Sequence, residues 1–338
     1  MAGFTSVLSS FSFPTRNSMI KCFLVAALLG VVGAAPAMAQ KYPSKSVTLV
    51  IPYAPSGSSD IVGRGVAQKL SEIWGQPVVV ENRPGATTTV GAEYVSRATP
   101  DGYTLLLAAP PFVITQYVYP NLTYTIDKSF EPVSLVLYSP LIMVVNATLP
   151  IHNLKELIEY SRKTPGMVYP SPGAGTTPHL MGEMLAQREK LDTIHAPYKS
   201  GGQGVIDLVA GRLQFYAGAP TEVVPHIKGG KLRPIAVLGA KRLSILHDVP
   251  TSPEQGYDYL QAQTWSTIVA PKGTPKPIVD KISSDIAKVV KDPAFEERMI
   301  SQGAVMVGSN PAELAAFYDA EGAKYGPVVK AIGLKPEQ

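Results

Sequence analysis

The stretch Val47–Gly75 reads VTLVIPYAPSGSSDIVGRGVAQKLSEIWG, and its interpretation decides the fold. Five apolar or β-branched residues run into a Pro/Ser/Gly loop, and apolar positions at helical spacing follow as far as Gly75. A strand passing through such a loop into a helix is one βα unit. The loop Tyr53–Asp60 carries hydroxyls and stands where a helix begins. Helix starts present unpaired backbone N–H groups and about half a positive charge, so an anion can settle there. Three guests fit that description: a nucleotide phosphate, a reaction intermediate or a free solute.

The same pattern returns four times. PVVVEN runs through RPGATTT into VGAEYVSRA, and MVYP through SPGAGTT into PHLMGEMLAQREK. TIHAPY runs through KSGGQG into VIDLVAG, and LQFYAG through AP into TEVVPHIKGG. Alternating strands and helices predict an α/β fold with mostly parallel sheets flanked by helices. Helix boundaries are signalled locally. Thr177 reads as an N-cap with Pro178 at the first helical position, Asn310 with Glu313 as a capping box, and Gly229–Gly230 as a stop. The C-terminal third is mostly helical. No repeat and no low-complexity linker is visible, which favours domains joined by crossing strands over separate beads.

The 338 residues suffice for about two domains. Residues 1–39 differ from the rest: Arg16 and Lys21 precede an apolar run, Phe23–Val32, and small residues end in Ala37-Met38-Ala39. This is the form of a secretory signal peptide, too short in its apolar part for the roughly 20 residues of a membrane span. Its removal would take the only cysteine, Cys22, and two positive charges from a chain of net charge +4. Disulfides and thiolate metal sites are then excluded, and so is a basic footprint for nucleic acid. A soluble protein of the periplasm is expected.

Nucleotide chemistry fails on spacing. Gly57 is followed by Ser58-Ser59-Asp60, which is neither G-x-G-x-x-G nor a Walker loop, and Gly173-Ala174-Gly175 continues as Thr176-Thr177-Pro178. Enzyme readings lack a G-x-S-x-G elbow and a cysteine nucleophile. His179 and Glu183 stand at i, i+4, half of a metal site without a partner cluster, so no metal or cofactor is expected. Asp60 reads as completing a helix start, and Arg64 and Arg83 as structural ion pairs. The aromatic segment with Phe112, Tyr117, Tyr119 and Tyr124 either walls a cleft, ready to stack on a planar ligand, or packs on the domain.

Taken in order, PYAPSGSSDIVGR, GQPVVVENRPGA, PDGYTLLL, GAGTTPHLMGE, PYKSGG, PHIKGGKLR, DVPTSPEQG and APKGTPKPIVDK resemble the Bug-type periplasmic receptors. These are the solute-binding proteins of tripartite tricarboxylate transporters, the TctC-like receptors. The likeness spans about Tyr42 to Lys335. It implies a two-domain type II periplasmic-binding-protein fold without catalysis, domain 1 being 40–145 with 266–338 and domain 2 being 146–265. A ligand cleft would lie between them and close on a small organic mono-, di- or tricarboxylate, aromatic ones included. The resemblance places Tyr53, Ser56, Gly57, Ser58, Ser59 and Asp60 in the first binding loop and Ala86, Thr87, Thr88 and Thr89, after Gly85, in the second. It assigns the cover to Ser171, Gly173, Ala174, Gly175, Thr176 and Thr177, with Tyr198 and Lys199 near the cleft. Ser56 stands where glycine is usual, and threonines replace glycines in the second loop. The expected partner of a monomer is a membrane permease. The alternatives are a sensor kinase's periplasmic domain as partner, or a secreted α/β hydrolase.

Overall fold

The computed structural model describes residues 42–55, 57–119 and 121–334. The export segment read at 1–39, with Cys22, and Ser56 lie outside the described residues. In chain order the elements are β1 (Val47–Ile51), α1 (Ser58–Trp74), β2 (Val78–Asn82), α2 (Thr89–Ser96), β3 (Thr104–Ala108), α3 (Pro111–Val118), α4 (Ile126–Ser129) and β4 (Phe130–Asn146). There follow α5 (Leu154–Lys163), β5 (Met167–Ser171), α6 (Thr177–Glu189), β6 (Thr193–Pro197), α7 (Gly201–Val209), β7 (Phe215–Gly218), α8 (Pro220–Lys228) and β8 (Leu232–Leu238). The chain ends with β9 (Gln263–Pro271), α9 (Lys276–Val289), α10 (Pro293–Ile300), β10 (Val305–Met306) and α11 (Pro311–Ala331).

The βα units pair as expected: β1 lies parallel between β2 and β3, and β5 is parallel to β6. The expectation of mostly parallel sheets needs correction, because two long strands run against their neighbours. β9 is antiparallel to both β3 and β4, and β4 is antiparallel to β7, β8 and β10. The sheets are therefore mixed. The cause is the length of β4: its first part pairs with β9 and its end, Leu141–Asn146, passes between β7 and β8. Its run LIMVV is buried on both sides. Met143 and Val145 enter one cluster with Tyr169, Leu180 and Phe215, while Ile142 and Val144 enter another with Tyr216, Val223 and Val237. Each such side chain contributes roughly 1.5–3 kcal/mol by leaving water, and a strand covered on both faces reads as a continuous apolar run.

The first part of β4 belongs to a third cluster, with Val50, Leu106, Phe112, Phe130, Trp265 and Val269. Helix α1 covers the opposite face of β1, so closely that a Cβ on Gly63 would collide with Ile51. Helix α11 spans clusters, placing Leu314 and Tyr318 in the third and Tyr325 and Val329 in the first. Along it, Glu321 is buried and accepts a hydrogen bond from Nε1 of Trp265 at 2.6 Å. The capping box opens α11 as the spacing predicts, with Asn310 N donating to Glu313 and Glu313 N to Asn310, both at 2.9 Å. The expected cap of α6 moves by one residue: Thr176 is the N-cap and Thr177 begins the helix.

Candidate ligand-binding cleft

A cavity of ≈ 120 Å³ opens at the carboxyl ends of the parallel strands, as in open α/β sheets generally. Five helix starts reach it. They are Gly57–Ser59 of α1, Pro110–Pro111 of α3, Thr176–Pro178 of α6, Ser200–Gly201 of α7, and Ala219 with Glu222 of α8. Leu141 of β4 and Thr264 of β9 also line it. Among the described residues no side-chain hydrogen bond caps α1, α3, α6 or α8; α1 and α8 carry an acid of their own in the first turn, Asp60 and Glu222, whereas the dipoles of α3 and α6 have none. Among the described residues Lys199 is the one cation in the lining and Glu222 the one anion.

The β1–α1 loop is held from outside the cavity. Asp60 is buried and accepts from Arg64 Nε at 2.8 Å and from Asn82 Nδ2 at 2.9 Å. The same Asn82 amide donates to the Tyr53 carbonyl at 3.0 Å, and Arg64 Nη2 donates to Asn82 Oδ1 at 2.9 Å. Asp60 thus ties the loop to β2 and raises the Arg64 guanidinium further above its ordinary value, first through their hydrogen bond. Tyr53 lines the cavity, but its hydroxyl is buried with no hydrogen-bond partner among the described residues, and burial pushes its pKa far up.

The second predicted loop does not border this cavity. Its backbone turns left-handed over Ala86, Thr87 and Thr88, with φ of 41°, 49° and 78°. Such angles cost about 1–2 kcal/mol per residue outside glycine. Thr87 Oγ1 lies 3.3 Å from Tyr119 Oη, Thr89 Oγ1 donates to the Ala86 carbonyl, and Thr88 Oγ1 is buried without a partner.

In the β5–α6 loop, Pro172, Thr176 and Thr177 line the cavity, while Ser171, Gly173, Ala174 and Gly175 do not. Ser171 is fully buried. Its hydroxyl accepts from Gly173 N at 3.1 Å, donates to Gly173 O at 2.9 Å and lies 2.6 Å from His195 Nε2. Gly175 N donates to His179 Nδ1 at 3.2 Å, and the rings of His179 and His195 are 4.1 Å apart. Burial lowers the His179 pKa to about 4, so the ring is neutral near pH 7. Glu183 accepts from Tyr169 Oη at 2.6 Å. Among the described residues no group of His, Cys, Asp and Glu could hold a metal ion.

Of the predicted residues, Tyr53, Gly57, Ser58, Ser59, Thr176, Thr177 and Lys199 share the cavity. Tyr198 does not line it, and its hydroxyl donates to Asp207 at 2.7 Å. Phe112 packs in the core against Phe130, Tyr124 and Tyr318, and the preceding Ala109, Pro110 and Pro111 reach the lining instead. Arg83 pairs with Glu81 and stacks over Tyr94. Sequence reasoning missed Tyr216 and Glu222, because an acidic residue in a first helical turn reads as an ordinary dipole partner.

A mixed α/β fold with helix starts gathered on one small cavity is the fold of a periplasmic binding protein, and solved structures agree. The periplasmic binding protein BugD is 34% identical, with a TM-score of 0.81 over 88% of this chain and 100% of that one. A protein from R. palustris solved with adipate is 30% identical, with a TM-score of 0.82 over 88% and 100%. MatC from Rhodopseudomonas palustris, solved with bound malate, is 28% identical, with a TM-score of 0.79 over 85% and 100%. Residues 62–334 match the family described as tripartite tricarboxylate transporter family receptor. The chain belongs to that family, whose members are solute-binding receptors and not enzymes.

Proposed function

We propose that this protein captures a small organic carboxylate in the cleft and delivers it to the permease of a tripartite tricarboxylate-type transporter. The observation that carries the reading is the convergence of five helix starts on one cavity with a single cationic side chain. A carboxylate there would be held by oriented N–H groups and hydroxyls. Each favourable helix start adds roughly 0.3–1 kcal/mol and each hydrogen bond to the charged group roughly 1.5–3 kcal/mol. The cavity lies well below the roughly 300 Å³ at which drug-sized pockets begin, which favours a short ligand. Adipate and malate in the related structures are short carboxylates of this kind.

In this reading residues 1–39 direct export and are removed, and the mature monomer works in the periplasm. Residues 40–145 with 266–338 form one domain and 146–265 the other. Support comes from the two long strands β4 and β9, which line the cavity through Leu141 and Thr264, close to the proposed crossings. Closure is stabilised only by contacts that the ligand makes better in the closed state. Thermal unfolding in the presence of mono-, di- and tricarboxylates, aromatic members included, tests the proposal. At least one should raise the midpoint in a saturable way. Stabilisation by neutral sugars or cations alone would overturn it.

A further inference from the structure

Glu222 is the one anionic side chain in a cleft otherwise built for anions. Its Oε2 accepts from Tyr216 Oη at 2.9 Å, and the backbone N–H of Ala219 also donates to the carboxylate. No Lys, Arg or His among the described residues pairs with it, Lys199 included. A carboxylate can accept about four hydrogen bonds, so two donors leave acceptor capacity on a residue that lines the cavity. Gly201, the first residue of α7, makes room for it: a Cβ there would collide with both carboxylate oxygens. The start of α7 therefore already faces an anion, the protein's own. The starts of α1, α3 and α6 remain for a ligand carboxylate. The cleft has two poles, one suited to an anion and one to a cation.

Resting on the receptor reading above, we propose that Glu222 is a specificity-determining residue that recognises a ligand ammonium group. The preferred solute is then an amino-bearing carboxylate. Its carboxylate sits at the α1, α3 and α6 starts, and its N–H donors meet the remaining acceptor capacity of Glu222. A second ligand carboxylate placed there would face a like charge and is selected against. Burial holds the Glu222 pKa above its ordinary value despite the two hydrogen bonds, and a ligand cation beside it would draw the pKa back down and favour the ionised form.

Calorimetric titration of the full mature chain with matched pairs tests this: aspartate against succinate, glutamate against glutarate, and 4-aminobutyrate against butyrate. The wild type should prefer the amino-bearing member of at least one pair by about tenfold or more, as expected for a close desolvated charge pair. Glu222→Gln keeps the shape and removes the charge, so the ratio should fall to near one, through weaker amine binding and tighter dicarboxylate binding. Glu222→Asp, which keeps the charge, should retain the sign of the preference. The wild-type ratio stands independently of whether either variant folds. A wild-type ratio favouring plain dicarboxylates, or a ratio insensitive to position 222, would overturn this inference and leave the receptor reading intact. Binding of no carboxylate at all would overturn both.

Discussion

The loops Tyr53–Asp60 and Ser171–Thr177 meet at one cavity, yet they are anchored by opposite chemistry. The first is tied by a charged pair, Asp60 with Arg64, through Asn82 to the Tyr53 backbone. The second is tied by histidines, His195 beside Ser171 and a neutral His179 accepting from Gly175 N. A permanent charge pair holds its geometry wherever both groups stay ionised. A neutral histidine acceptor is lost once the ring takes up a proton. One wall of the cavity is thus fixed and the other is sensitive to acid.

The strongest way to break this contrast is Asp60→Ala. It removes a buried acceptor that takes hydrogen bonds from Asn82 and from the half-exposed Arg64, and should cost about 3 kcal/mol, read from denaturant unfolding. Carboxylate affinity should fall with it, because the Tyr53 carbonyl loses its ordered partner. Next in size is acid. The His179 pKa is depressed from 6.5 to about 4 on folding, so the unfolded chain binds the proton more readily. The stabilising contribution is fully present above about pH 6.5 and lost as pH falls toward 4. The loss should be roughly 2–3 kcal/mol at this buried site, and His179→Gln should flatten the unfolding profile in that window. Ser171→Ala removes a hydroxyl bonded to both backbone groups of Gly173 and should cost about 1–2 kcal/mol by the same measurement. Smallest is Ala86→Gly. It relieves a left-handed alanine at φ 41° and should raise stability by up to about 1 kcal/mol, seen as a higher melting temperature.

The βα units, the capping box at Asn310 and Glu313, and the glycine stop after Lys228 were legible because each rests on residues close together in sequence. β4 was less so. Pro132 and Pro140 look like breakers within it, but each sits where its missing N–H does little harm. Pro132 lies at a register shift against β9, and Pro140 stands where pairing passes from β9 to β7 and β8. Antiparallel pairing of β4 and β9 joins segments more than a hundred residues apart, and no local pattern announces it. The same limit applied at the cleft. Ser58, Ser59, Thr176 and Thr177 were readable as helix-start donors, whereas Glu222 gains its meaning only from Tyr216 and the bare Gly201 against it. The aromatic segment at Phe112 was ambiguous because a ring that packs in a core and one that lines a cleft have the same composition.

The hydrogen bond from Trp265 to Glu321 gives the molecule an optical gauge. Its two tryptophans occupy unlike settings: Trp74 is half-buried and donates to Asp285, while Trp265 is buried, next in sequence to Thr264 in the cavity lining. An indole emits according to the field of its surroundings, and Trp265 already feels one fixed carboxylate. A solute that settles against Thr264 brings a second charge within reach of that ring. Intrinsic fluorescence should therefore report occupancy through Trp265, with Trp74 as an internal constant and no added label.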